Sequence, residues 1–381
     1  MSALQRPPLS LYVHVPWCIQ KCPYCDFNSH ALKHDIPESA YIARLLDDLR
    51  ADLSWVQERE LISIFIGGGT PSLFSAKSIA VLLDGIRKLV PFAEDCEITL
   101  EANPGTFETD KFSGFVDAGV NRLSIGVQSL HDEQLKALGR IHNPQQAQLA
   151  AAHAAQLPLK SFNLDLMHGL PNQSLEQAMA DLDGIIALAP PHISWYQLTI
   201  EPNTAFASQP PRLPEEEALW DIQEHGHAKL IAAGYEHYEI SAYAKPNHQS
   251  RHNRNYWSFG DYLGIGCGAH SKITLPHENR IVRCEKIKHP QGYLNLTKPL
   301  RYRQWEVTPE ERPFEFFMNY FRLHKPVPKA DFSSYTGLSV EIAEKLLAEA
   351  LEKKLVVDNG ASWETTHLGR RYLNAVLDML L

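Results

Sequence analysis

Short apolar runs alternate along this chain with longer stretches in which apolar residues recur every three or four positions. Strand-like runs begin near Leu9, Ile62, Cys96, Arg122, Ser161 and His192, and helical periods fill the intervals, as in Tyr41-Ile42, Leu45-Leu46, Leu49 and Leu53. Strands alternating with helices predict an α/β fold on a parallel sheet. The periodicity leaves open whether that sheet closes. The polar residues at the strand ends add information. The cysteines follow the first strand, Gly68-Gly69-Thr70 the second, and the next three strands carry Glu101, Gln128 and Asp165. Ligands of β/α barrels gather at the carboxyl ends of the strands, so these residues are expected to share one rim.

The pattern changes near Pro299. From Pro309 it reads helix, helix, hairpin: Phe314 to Leu323, Val340 to Lys353, then Leu355 to Gly360 turning into Trp363-Glu364-Thr365. That order suggests a small winged-helix-like module. Its middle helix sets Glu341, Glu344, Glu349 and Glu352 against Lys345, Lys353 and Lys354. Phosphate contacts need a basic face, so the module is expected to pack over the barrel or meet a protein partner. The expected division is residues 1–235 as the core, 236–300 as a connecting region and 301–381 as the carboxy-terminal domain.

At 381 residues and 44% hydrophobic content, the chain can fill one large core and a small second one. Its formal charge of -9 argues against general polyanion binding and hence against nucleic acid. No run resembles a signal peptide or approaches the ~20 apolar residues of a membrane span, which gives a cytoplasmic expectation. Cys96, Cys267 and Cys284 are scattered, as expected of reduced core thiols rather than a disulfide framework.

The remaining cysteines are not scattered. Cys18, Cys22 and Cys25 lie in Cys-Ile-Gln-Lys-Cys-Pro-Tyr-Cys. Three thiolates in so short a loop can hold three irons of a cubane cluster and leave the fourth open to a small molecule. Two alternatives stand beside this: a zinc site completed by His30 or His34, and unrelated free thiols. Zinc fingers usually present two separated ligand pairs, and no second pair follows here.

The neighbouring segments carry a resemblance. Leu11-Tyr12-Val13-His14-Val15-Pro16-Trp17 runs into the cysteines, and Phe65-Ile66-Gly67-Gly68-Gly69-Thr70-Pro71 empties into a glycine turn whose backbone can approach a ligand closely. With Cys-x3-Cys-x2-Cys, these resemble the radical S-adenosylmethionine (SAM) superfamily. The resemblance implies a partial (β/α)6 barrel, a [4Fe-4S] cluster on Cys18, Cys22 and Cys25, and SAM on the open iron. Glu101-Ala102-Asn103-Pro104, Gly126-Val127-Gln128-Ser129 and Asp165-Leu166-Met167-His168-Gly169-Leu170-Pro171 narrow it to the branch containing oxygen-independent coproporphyrinogen III oxidase. Carried over position by position, it implies Tyr12, Tyr24, Gly68, Gly69, Thr70, Glu101, Gln128, Arg140 and Asp165 around SAM. The residue types suit that role: Glu101 can accept from an ammonium, Asp165 can bond ribose hydroxyls and Arg140 can bind a carboxylate.

Two departures separate the chain from the oxidase itself. The oxidase carries a further cysteine two residues beyond the third cluster ligand, where this chain has Asp26-Phe27, and a longer extension before the first strand. In their place stands His252-Asn253-Arg254-Asn255-Tyr256-Trp257, which resembles the His-Asn-x-x-Tyr-Trp motif of the heme chaperones of this branch, the HemW type. That resemblance implies heme bound by His252, Tyr256 and Trp257, with an acceptor hemoprotein and an electron donor protein as partners. A neutral imidazole can ligate heme iron, and flat aromatic faces can pack against a porphyrin. The glycine-rich run Tyr262 to Ser271 lacks a following nucleotide-fold helix, so a close approach of its backbone to the barrel mouth is expected rather than a dinucleotide site. The resemblance implies that this run closes on the SAM pocket, with His270 a candidate to face the ligand. Two functions stand: a heme carrier, and an enzyme that decarboxylates coproporphyrinogen III through SAM cleavage.

Overall fold

The computed structural model describes residues 3–106 and 109–381. The strands of its large sheet are β1 (Leu9–Val15), β2 (Leu61–Gly68), β3 (Phe92–Ala102), β4 (Arg122–Gln128), β5 (Ser161–His168), β6 (His192–Gln197), β7 (Glu236–Glu239), β8 (Ala242–Ala244), β9 (Asp261–Gly266), β10 (His270–Leu275), β11 (Arg280–Lys286) and β12 (Arg301–Val307). They form one twelve-stranded sheet in the order β12-β11-β10-β9-β1-β2-β3-β4-β5-β6-β8-β7. From β9 through β1 to β6 every pairing is parallel, and both flanks are antiparallel. The chain is α/β with an open sheet of mixed direction, and β1 and β6 are not paired with each other.

Five of the six expected strand starts are found to within one residue, whereas β3 begins at Phe92, four residues before the expected Cys96, and β9 adds a parallel strand on the outer side of β1. Its register, Ser10 opposite Tyr262 and Tyr12 opposite Gly264, brings the segment after the histidine motif into the same sheet as the cluster loop. Asp165 is a smaller departure. It lies inside β5, which continues to His168, rather than at the strand's end.

Alternation along the strands creates two unlike faces. Leu9, Leu11, Val13 and Val15 are at most 1% exposed and pack with the helices, while Ser10, Tyr12 and His14 point the other way. Register extends the polar face sideways, with Ser10 opposite Ser63 and Ser63 opposite Glu97. Farther along, Glu101 stands opposite Ser124, and Ser124 opposite Asn163. The interior is therefore lined by groups able to meet a polar ligand, in contrast to the packed apolar layers of a filled barrel.

Helices cover the apolar face. Glu38–Ala51 buries Tyr41, Ile42, Leu45 and Leu49, and Ala76–Leu89 buries Ile79, Leu82, Leu83 and Ile86. Asn143 with Gln146, and Ser174 with Gln177, close capping boxes at the starts of Pro144–Ala154 and Leu175–Ala187, satisfying amides that helix geometry leaves free.

The carboxy-terminal module contains the helices Arg312–Tyr320 and Lys329–Thr336 and a small sheet in which Ser362–Thr365 lies between Val327–Pro328 and Val356–Asp358. The helix expected over Val340 to Lys353 is two pieces, Val340–Leu346 and Ala348–Glu352. The chain turns at Leu347 (φ -83°, ψ -4°), which lets Ala343, Leu347 and Ala350 all bury into the module's core. Phe316, Phe317, Phe332 and Trp363 fill that core with stacked and edge-on aromatic contacts. Arg312, 2% exposed, donates to the carbonyls of Thr336 and Asn279 and so joins module to sheet.

Candidate functional site

The cysteine loop leaves β1 through the short strand Trp17–Cys18, which pairs with His30–Ala31. Cys18, Cys22 and Cys25 are free thiols, each half-buried. Burial pushes the Cys18 and Cys25 thiols up, with bonds to Thr70 and Ser29 opposing it. Thiols so placed are protonated when free and release protons on binding a metal. His30 does not join them: its Nε2 lies 3.3 Å from Asn28 Oδ1 and its ring packs against His289. Among the described residues no three His, Cys, Asp or Glu side chains converge as around a single metal ion. Ligands of one zinc would have to lie within about 2.0–2.3 Å of a common point. The donor set suits a larger thiolate-bound cluster better.

Arg140 ties this loop to the sheet. Its Nη1 lies 3.6 Å from Cys22 Sγ, and its Nη2 donates to the Gly126 carbonyl at 2.8 Å. Burial works against its charge, but Tyr24 and Cys22 outweigh that and raise its pKa. Its buried Nε has no partner in the protein, which leaves one donor for a ligand. Thr70, Asn103 and Arg140 flank Cys22 in a narrow crevice.

A far larger cavity, of about 970 Å³, also borders the loop. That lies near the upper end of the ~300–1,000 Å³ usual for small-molecule sites. Its walls include Tyr12, Gly68 and Glu101 from the set implied for SAM, Asp26 to His30 of the cysteine loop, and His252 and Tyr256 of the histidine motif. Gly268 and His270 of the glycine-rich turn also line it. Glu101 Oε2 accepts from the Gly68 amide at 2.9 Å. Burial first, then the charge of Asp165, lifts its pKa to about 8. Asp165 itself accepts from Asn163 at 2.7 Å and Ser124 at 3.3 Å, and burial raises its pKa too. A cationic ligand group would relieve both carboxyls.

Other implied residues stand back from the cavity. The Gln128 Oε1 accepts from the Tyr196 hydroxyl at 2.8 Å and its backbone has φ +70°. Tyr24 packs against Phe206. Gly68 and Gly69 answer first to the protein itself. A Cβ on Gly68, at φ +114°, would lie 2.5 Å from the His14 ring, and one on Gly69 would lie 2.5 Å from the Trp17 carbonyl oxygen. These glycines let strand and loop close on each other, beyond any approach to a ligand.

The histidine motif forms the helix Arg251–Trp257, capped by Ser250. The Glu97 carboxylate accepts from the amides of Arg251 and His252, each at 3.1 Å, and holds the helix start against β3. His252 is 8% exposed, its Nδ1 3.1 Å from Ser63 Oγ and its ring 5.1 Å from that of Phe65. Burial, then Arg122, lowers its pKa to about 3, so the imidazole is neutral across the physiological range. Tyr256, one turn on, shares the face of His252. Trp257 departs from the expectation. It is absent from the cavity walls, and the Arg322 guanidinium lies 4.2 Å over its ring. One residue beyond Tyr256, it is rotated about 100° around the helix, toward the carboxy-terminal module.

His14 carried no role in the sequence reading. Its Nε2 donates to the Asn28 carbonyl at 2.9 Å, which leaves Nδ1 to accept from the Tyr12 hydroxyl at 3.0 Å. Its spacing of two from Tyr12 within a strand was the available signal. Asn28, Ser63 and Glu97 were also missed. Their partners lie far away in sequence, and nothing local marks them.

Comparison with known proteins agrees with this geometry. Residues 12–183 match the model of the Radical SAM superfamily, and residues 307–372 that of the HemN C-terminal domain. Coproporphyrinogen III oxidase (HemN) from Escherichia coli has the same fold, with a TM-score of 0.83 over 98% of this chain and 90% of that one at 23% identity. Fold and site thus define a radical SAM protein, a class that carries a [4Fe-4S] cluster and SAM. Heme chaperone HemW of Haemophilus influenzae is 57% identical over 98% of both chains, and that of Escherichia coli K12 is 56% identical over 99% of both. The Bacillus subtilis protein of that name is 33% identical over 98% of this chain and 99% of its own. The chain belongs to the HemW family.

Proposed function

We propose that this protein binds heme in the cavity between the cysteine loop and the helix Arg251–Trp257, and hands it to an acceptor hemoprotein. One observation carries the reading: His252 and Tyr256 line the same cavity as Tyr12, Glu101 and the cysteine loop. The family name points to the same cargo.

Cys18, Cys22 and Cys25 would hold the cluster, which when bound supplies a one-electron centre with an iron open to SAM. Glu101 would take the ammonium of SAM, Asp165 the ribose hydroxyls and Arg140 a carboxylate. Gly68 contributes by positioning, since its amide already serves Glu101. His252, neutral and buried, is the nitrogen donor for heme iron, and Tyr12, Tyr256 and Tyr262 supply ring faces on the same walls. Trp257 acts from outside the cavity, by seating the helix on the module that carries Arg322. The division at 236 and 301 is then one of role. The middle region adds the strands β7 to β11 and carries the motif, and the terminal domain contributes the edge strand β12 and supports the motif's helix.

The test is an anaerobic heme titration of cluster-reconstituted protein, with His252→Ala beside it. Saturable one-to-one binding that the substitution weakens or alters spectrally is expected. Absent saturable binding, or conversion of coproporphyrinogen III to protoporphyrinogen IX, would return the protein to the oxidase reading.

A further inference from the structure

A chain of hydrogen bonds holds the His252 ring, and its direction is set at the far end. The Asp261 carbonyl oxygen can only accept, and it receives a hydrogen bond from Asn255 Nδ2 at 3.0 Å. That contact decides which end of the Asn255 amide carries the hydrogens. The same nitrogen donates to Ser10 Oγ at 2.9 Å. Among the described residues the one acceptor in reach of the Ser10 hydroxyl is then Ser63 Oγ, at 2.8 Å. With the Ser10 proton directed at Ser63, the Ser63 proton is left with His252 Nδ1, at 3.1 Å, as its acceptor. Asn255, Ser10, Ser63 and His252 are all buried, so water does not compete for these bonds.

We infer that His252 is held as the neutral tautomer with its proton on Nε2, and that Ser63 and Ser10 are the positioning residues that impose it. The tautomer follows from the hydrogen bonds alone, whereas its consequence for heme rests on the proposed function. Imidazole ligates iron through a nitrogen lone pair, and Nδ1 is covered by Ser63, which leaves Nε2. Ligation therefore requires the chain to reverse. One proton leaves Nε2 and one arrives at Nδ1. Nδ1–H then donates to Ser63, Ser63 donates to Ser10, and the Ser10 hydroxyl loses its acceptor. No proton is gained or lost overall and no electron moves. The serine pair thus disfavours the ligating tautomer until iron is present, and couples heme uptake to a reversal of two hydroxyls.

The test is nitrogen NMR of heme-free, full-length protein labelled with 15N-histidine, the His252 signals being identified by their loss in His252→Gln. The expected result is a protonated Nε2 and an unprotonated, hydrogen-bonded Nδ1. Ser63→Ala should shift the ratio several-fold toward Nδ1–H, and Ser63→Thr, which keeps the hydroxyl, should restore it. A protonated Nδ1 in the unsubstituted protein would overturn the inference, as would a ratio unmoved by Ser63→Ala. Should Ser63→Ala not fold, the unsubstituted protein alone decides. Heme titration separates the two readings: the expected tautomer with a heme spectrum indifferent to His252→Gln would remove His252 as iron ligand and leave the tautomer standing.

Discussion

Glu97, on the third strand of the large sheet, accepts the backbone amide of His252 at 3.1 Å with one carboxylate oxygen, while the other serves Arg251 at the same distance. One side chain thereby caps the helix that carries the histidine motif and fixes where His252 enters the cavity. Glu97→Ala would leave two amides and the Arg122 guanidinium, 3.9 Å away, without this acceptor. A loss of about 1–3 kcal/mol in unfolding free energy is expected from chemical denaturation, with weakened heme binding. Unchanged stability and heme affinity would show that the cap is dispensable.

Glu101 gives a pH signature. Its pKa of about 8 means that the ligand-free site holds a proton at pH 7. Binding a cationic ammonium favours the ionised form, so that proton must leave. SAM affinity is therefore expected to rise with pH up to about 8 and level off above it, by at most tenfold per unit. Calorimetric titration between pH 6.5 and 9 measures this. Affinity independent of pH in that window would remove Glu101 as the partner of the ammonium.

The same residue predicts opposite effects on stability and binding. A carboxyl raised above its unfolded value stabilises the fold most below the unfolded pKa, and the advantage is lost as pH rises toward the folded one. Glu101→Gln keeps an acceptor for the Gly68 amide without the buried charge. It is expected to raise thermal stability at pH 8 while weakening SAM binding at least tenfold. A variant less stable than the parent at pH 8 would contradict the buried-charge account.

Acid should unfold this protein through its histidines. Burial lowers His14, His142, His168 and His324 to about 4, and His237 and His252 to about 3. Each folded value lies below the unfolded one, so the stabilisation is complete above about pH 6.5 and declines as pH falls toward 3–4. The slope reaches about 1.4 kcal/mol per pH unit for each histidine. Denaturation midpoints from pH 7 to 5 should fall steeply, and His324→Gln should flatten the slope by one histidine's share. A flat profile would show that these rings are not held neutral.

Two glycines with similar torsions should respond differently to alanine. Gly68 (φ +114°) and Gly360 (φ +81°) both lie in the left-handed half of backbone space, but a Cβ on Gly68 meets the His14 ring at 2.5 Å and one on Gly360 meets nothing within 4 Å. Gly360→Ala should cost only the torsional preference, about 1 kcal/mol. Gly68→Ala should cost several times more, in thermal or urea unfolding, and displace His14. Equal losses would mean that the strand can give way where it meets His14.

The first six strands of the large sheet, the cysteine spacing, the glycine turn and the histidine motif were legible in the sequence, because each depends on neighbours within a few residues. Apolar alternation across Leu9, Leu11, Val13 and Val15 determined which face of the first strand would be buried. Covalent spacing alone put three thiols on one loop. Tertiary structure decided the rest, because the contacts join residues far apart in the chain. The parallel pairing of Ser10 with Tyr262 brings the histidine motif under the cluster loop, and register across β1, β2 and β3 brings Ser10, Ser63 and Glu97 together beneath His252. Helical phase turned Tyr256 to the cavity and Trp257 to Arg322, where a motif read as a string gives the two rings the same role. Local periodicity determines which face is apolar, and only long-range pairing determines which polar groups that face will meet.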